Sequence, residues 1–299
     1  MFKDRDIICF LGDSITASGL WEAEVYQFLR KKYKIKCYNC GASGSIAEKV
    51  AGYMHSECLI YNPDYVVLML GMNDFNLNLY TSVEAQNPEE ESERERLFFV
   101  HMREYEKIII ECKKAGSNVI ICLPTPYDEV SKCDTEIKFY QSVLDKACDF
   151  QLEMANKYGC RVVNFKDNMM SMLETGIIQK DRVHPTEYGY HVMAQIFLKE
   201  LGQIEECDFD TPFEFEEWNK KRHDAELKNH KLNYVELCDT YFVGYALNKS
   251  SDEIKMIAKH RLESFDGDSV YIPEAYRDYM ENGHLRSRNK GEVVKLTIF

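Results

Sequence analysis

The chain has 299 residues, 45% of them hydrophobic and 12% aromatic, enough apolar material for a sizeable core in one or two domains. A formal net charge of −13 argues against a nucleic-acid partner, which demands clustered Lys and Arg. No apolar run approaches the roughly 20 residues of a membrane-spanning helix, so no membrane partner is expected.

The N-terminus "MFKDRDIICFLGD" enters a charged, strand-like segment where a signal peptide would carry an apolar stretch, which points to a cytoplasmic protein. From there apolar runs alternate with helical patterns. Strands are predicted at Asp6–Gly12, Lys36–Asn39, Tyr65–Leu70, Asn118–Pro124 and Arg161–Phe165. "DYVVLMLG" and "SNVIICLP" are continuous rather than alternating, as in parallel strands covered on both faces. Helical spacing of apolar residues predicts helices over Trp21–Tyr33, Pro88–Ala115, Thr135–Tyr158 and Glu187–Leu201. At the second of these, Asn87 is a candidate cap, Pro88 suits the first helical position and Glu90 completes a capping-box spacing. The expected fold is a three-layer α/β/α sandwich.

After about Gly202 the texture changes to Tyr, Phe and alternating charges, with no apolar strand until "EVVKLTIF". The expected organisation is an α/β/α domain over residues 1–204 and a mostly helical extension over 205–299 packed on it. Within the extension, Ser250 with Glu253 caps a predicted helix, and "IPEAYRDYMENG" reads as another. Of the eleven cysteines, Cys9, Cys122 and Cys148 sit inside apolar patterns and read as reduced core residues. Cys37 and Cys40 have C-x-x-C spacing only across a predicted strand, so no zinc site is expected there.

In an open parallel sheet, functional groups gather beyond the carboxyl ends of the strands, where loops converge on a crevice. The first strand ends in Gly12-Asp13-Ser14, the second in "NCGASGS" (39–45) and the third in "GMND" (71–74), while a late loop carries "DRVHP" (181–185). Each alone has an ordinary reading as a cap, a turn or a left-handed residue. Together they supply what acyl transfer needs. Ser14 is the candidate nucleophile, His184 the base, and Asp181, three residues earlier, the group that orients it. Oxyanion donors would be the Ser14 backbone N–H, a glycine N–H in "GASG" and the Asn73 amide. His101 and His191 lie within helical patterns and read as structural.

Over residues 6–202 the chain resembles the SGNH or GDSL-type esterase and lipase superfamily, whose four signature blocks come in this order. Gly12-Asp13-Ser14-Ile15 looks like the nucleophile block, Asn39–Gly44 like the second, Gly71-x-Asn73-Asp74 like the third and Asp181-x-x-His184-Pro185 like the last. The spacing from Asn39 favours Gly44 as the second block's oxyanion donor, with Gly41 as the alternative. The resemblance implies a flavodoxin-like sandwich of about five parallel strands, a serine mechanism with an acyl-enzyme, and no cofactor or metal. The expected substrate is a small-molecule ester of a short acyl group, such as an acetylated sugar. A non-catalytic binding module on the same fold and a lipid or thioester hydrolase are the alternatives. A nucleotide binder is disfavoured by the lack of a phosphate loop. Two departures stand out: the long acidic segment Phe75–Glu95, and the region after Gly202.

Overall fold

The five apolar runs form one parallel sheet. In the computed structural model, which describes residues 1–80, 88–131, 137, 139–211 and 213 and the backbone of 270–273 and 293–296, the strands are β1 (Ile7–Gly12), β2 (Lys36–Asn39), β3 (Tyr65–Met69), β4 (Asn118–Leu123) and β5 (Arg161–Asn164). Their spatial order is β2-β1-β3-β4-β5, with β1 paired to β2 from Ile7↔Lys36 and to β3 from Ile8↔Tyr65. The order reverses between β1 and β3. That switch point is where the loops of an open α/β sheet part to leave a crevice.

The strand side chains alternate between two cores. Ile8, Phe10, Val67, Met69, Ile120 and Cys122 pack on one side, with α2 (Leu20–Leu29), α6 (Phe165–Met170) and α7 (Glu187–Glu200). There Trp21 meets Phe10, Phe165 and Phe197 edge-on at centroid distances of 5.1, 5.4 and 5.3 Å. Cys9, Leu11, Val66, Leu68 and Ile121 face the other side, against α3 (Ala47–Glu57) and α4 (Pro88–Lys114). The first half of α5 (Tyr140–Tyr158) joins the first core, and its second half joins the second. Burial on both faces is why these strands read as continuous apolar runs.

The structure departs from the predicted elements in places. α3 was not among them: Gly52 interrupts its pattern and Ile46, at its N-cap, offers no side-chain bond. α2 stops at Leu29, where Arg30–Tyr33 continue as turns that still donate to Tyr26 and Leu29 carbonyls. α4 starts at Pro88 as expected, whereas the Asn87 cap lies outside the described residues, as does Thr135 at the predicted start of α5. In the C-terminal region, β6 (Val270–Pro273) pairs antiparallel with β7 (Val293–Leu296), within "EVVKLTIF". Ile272 and Pro273, assigned above to a helix, are thus in a strand; the remainder of that predicted helix and the one capped by Ser250 lie outside the described residues. Among the described residues no helix is long and apolar enough to cross a membrane.

Candidate active site

Ser14 opens α1 (Ser14–Ala17), the short helix into which β1 turns. Asp13 is its N-cap, with Oδ1 accepting from the Ile15 N–H at 2.9 Å, so the turn holds Ser14 at the sheet's carboxyl edge. Asp13 is itself buried. Burial above all, with the nearby Asp74 charge adding to it, pushes its carboxyl up to about 7, against the lowering effect of the Ile15 N–H and of His184.

His184 arrives from the loop before α7, 170 residues later in the chain, and its Nε2 lies 2.8 Å from Ser14 Oγ. On its far side Nδ1 lies 2.6 Å from Asp181 Oδ2. An ionised carboxylate only accepts, so Nδ1 carries the proton and Nε2 is left as the acceptor for the Ser14 hydroxyl. Asp181 Oδ1 accepts from the N–H groups of Val183 and His184, both at 3.0 Å, which folds the D-x-x-H segment around its own carboxylate. Burial pushes the Asp181 carboxyl up, but the His184 N–H, the His184 ring and the Val183 N–H outweigh it, leaving the group below its ordinary value.

The loop is braced by residues that sequence reasoning did not single out. Arg182 is buried at φ 67°, and its carbonyl accepts from the Asp128 N–H at 3.0 Å while its Nη2 donates to the Ser131 carbonyl at 3.1 Å. Gln179 spans the loop, its N–H donating to the His184 carbonyl at 2.7 Å and its Nε2 to the Pro185 carbonyl at 2.8 Å. No local motif announces these roles, because each depends on a partner placed by the fold.

The second and third loops are bound to each other. Asn73 Nδ2 donates to the Ser45 carbonyl at 3.2 Å, which sets the amide beside Gly44. Asp74, buried, accepts at Oδ1 from the Ala47 N–H and from His101 Nδ1, both at 2.8 Å. His101 thus has a structural partner, as has His191, whose Nδ1 lies 3.0 Å from both Glu24 carboxylate oxygens. The two glycines differ in kind. A Cβ on Gly41 would lie 2.4 Å from the Ala17 backbone nitrogen, and its own N–H donates to Asn39 Oδ1 at 2.9 Å. Gly44 adopts φ 68° with open space around it and no bond on its N–H among the described residues. Gly41 therefore serves close packing, while the Gly44 N–H is available to a ligand.

The one set of metal-ligating side chains gathered among the described residues is Cys9, Cys40 and Cys58, buried, with sulfurs within 4.8 Å of one another. Burial raises the Cys9 and Cys58 thiols well above their ordinary range. Cys37 faces the opposite core from Cys40, so their C-x-x-C spacing does not converge.

The sheet and the residues gathered at its carboxyl edge place the chain among the SGNH-type carboxylic ester hydrolases. Residues 8–197 match the GDSL-like Lipase/Acylhydrolase family, and the chain belongs to it. It is 23% identical over 220 residues to an acetylxylan esterase of Geobacillus stearothermophilus, a match covering 65% of this chain and 93% of that protein. It is also 23% identical over 217 residues to an acetylxylan esterase of Xylanibacter ruminicola, there spanning only 42% of the relative's length. Among solved structures, a gut microbial diltiazem-metabolizing enzyme superposes with a TM-score of 0.61 at 22% identity, over 68% of this chain and 48% of that one. The Geobacillus esterase Axe2 superposes at 0.56 and 19%, over 69% and 98%.

Proposed function

We propose that this chain is a serine esterase that removes short acyl groups, acetyl foremost, from carbohydrate esters in the cytoplasm. The observation that carries the reading is the unbroken chain from Ser14 Oγ to His184 at 2.8 Å and from His184 to Asp181 at 2.6 Å. Of the Geobacillus esterase, serine, aspartate and histidine variants are described as catalytic mutants, which supports the same three roles here. The acetylxylan substrates named for both relatives support the acetylated carbohydrate. Nine cysteines in no disulfide among the described residues suit a reducing compartment.

In this mechanism His184 Nε2 takes the Ser14 proton as Oγ attacks the acyl carbon. The carbonyl oxygen gathers negative charge and is held by the N–H groups of Ser14 and Gly44 and by the Asn73 amide. As the tetrahedral species collapses, His184 returns the proton to the departing alcohol oxygen, leaving the acyl group on Ser14. A water molecule then attacks, losing its proton to His184. The carboxylic acid leaves and Ser14 Oγ recovers its hydrogen. Throughout, the Asp181 carboxylate stabilises the transient imidazolium.

The test is Ser14→Ala together with fluorophosphonate labelling. The variant should lose ester hydrolysis by at least about 10³-fold while keeping the wild-type melting temperature, because a hydroxyl on a crevice edge contributes little packing. The label should map to Ser14 alone. A label on another serine in active protein would refute the assignment.

A further inference from the structure

The acidic first turns of α4 border a cavity outside the triad. A cleft of about 600 Å³ lies between the first half of α4 and the start of α5, with Tyr80, Arg94, Phe98, Phe99, Phe139 and Lys146 among the residues that line it. Both helices follow strands whose carboxyl ends face the crevice, so the cleft is on the catalytic edge of the sheet. A single tyrosine joins the two. Tyr140 packs edge-on against the Tyr80 ring, with centroids 5.3 Å apart, and its hydroxyl donates to the Met72 carbonyl, immediately before Asn73, at 2.6 Å.

The lining has a definite chemistry. Phe99 is 63% exposed and Phe139 44% exposed, two of the few large apolar side chains left open to solvent among the described residues. Phe139 sits at φ 74°, ψ 6°, a left-handed conformation costly for any residue with a Cβ and unsupported by a side-chain cap bond. Backbone strain of this kind concentrates at ligand clamps. Between the rings stand carboxylates and cations. Arg94 lies over the Tyr80 ring at 5.3 Å, and Lys146, Glu91 and Glu95 take part in no ion pair among the described residues.

A long acyl chain would call for an apolar tunnel without free charges, and an anion for cations alone. Exposed ring faces interleaved with hydrogen-bonding groups of both signs suit a neutral ligand with C–H faces and many hydroxyls. The electron-rich face of an aromatic ring attracts the polarised C–H groups of a pyranose, and the charged groups bond its hydroxyls. We propose that this cleft binds the sugar chain of the substrate, the alcohol side of the ester, so that Phe99 and Phe139 set the preference for acetylated oligosaccharides over small esters. The inference rests on the esterase reading and names the site that selects its substrate.

The experiment compares kcat/KM on acetylated xylooligosaccharide with kcat/KM on 4-nitrophenyl acetate, in the full chain and in Phe99→Ala, Phe139→Gly and the double variant. Phe99→Ala keeps a helix former in α4, and Phe139→Gly supplies the residue that φ 74° favours, so both variants retain the fold. The oligosaccharide-to-nitrophenyl ratio should fall about tenfold in the double variant, through a higher KM for the oligosaccharide. An unchanged ratio in the folded variants overturns the inference, as does a wild-type chain that hydrolyses 4-nitrophenyl acetate but not the oligosaccharide. Failure of the esterase reading is distinguishable: the wild-type chain would then be inactive on both esters, which removes the inference with it.

Discussion

Asp13 offers a quantitative test because its carboxyl is buried at the cap of the helix that the candidate nucleophile opens. In the unfolded chain its proton is lost near 3.8, and in the folded protein burial holds it up to about 7. Between those values the folded state binds one more proton than the unfolded state, so stability falls as pH rises, and the loss is complete above about 7. A shift from 3.8 to about 7 at 1.36 kcal/mol per unit amounts to about 4 kcal/mol. Asp13→Asn removes the ionisation yet keeps an oxygen that can accept from the Ile15 N–H, a bond of 2.9 Å in the native protein. The variant should therefore gain on the wild type by about 1.4 kcal/mol per pH unit between roughly pH 4 and 7, and hold a constant advantage above. Urea unfolding at pH 4.5, 6 and 7.5, followed by the fluorescence of buried Trp21, measures the difference directly. A variant-to-wild-type difference that does not change over this range would refute the reasoning.

Asn73→Ala should lower kcat by about 10²–10³ with little change in KM, since its bond strengthens as charge develops on the carbonyl oxygen; steady-state kinetics that show a change in KM alone would mark a ground-state binder. His101→Leu removes one of the two 2.8 Å donors to the buried Asp74 side chain and should cost about 1–3 kcal/mol in urea unfolding, whereas His101→Asn, which can present an amide N–H at the same place, should recover part of it. Glu22 is buried in α2 with neither carboxylate oxygen bonded among the described residues, and burial raises its proton affinity well above the ordinary value. Glu22→Met should raise the unfolding free energy measured in urea at pH 8 by about 1–3 kcal/mol.

Much of this protein is legible along the chain because its strongest signals are local. Strands buried on both faces must be apolar at every position, so "DYVVLMLG" and "SNVIICLP" read as parallel strands before any contact is known. The loops that follow the first three strands carry Ser14, Gly44 and Asn73 in clean view, since polar groups following an apolar run stand out, and Asp181 and His184 share one short motif in the loop before α7. Other features depend on partners far along the chain. α3 begins where it does because Asp74, 27 residues on, accepts from the Ala47 N–H, a cap that no local pattern contains. Gly41 and Gly44 look alike in "GASG" until Ala17 packs against the first and Asn39 takes its N–H. The bracing of the His184 loop by Asp128, and the joining of the α4–α5 cleft to Asn73 through Tyr140, likewise arise only when the sheet brings separate loops to one edge. Periodicity and caps are short-range properties carried by neighbouring residues. Hydrogen bonds and ring contacts between distant segments exist only once the chain has folded, and it is these that decide which polar groups remain free for chemistry.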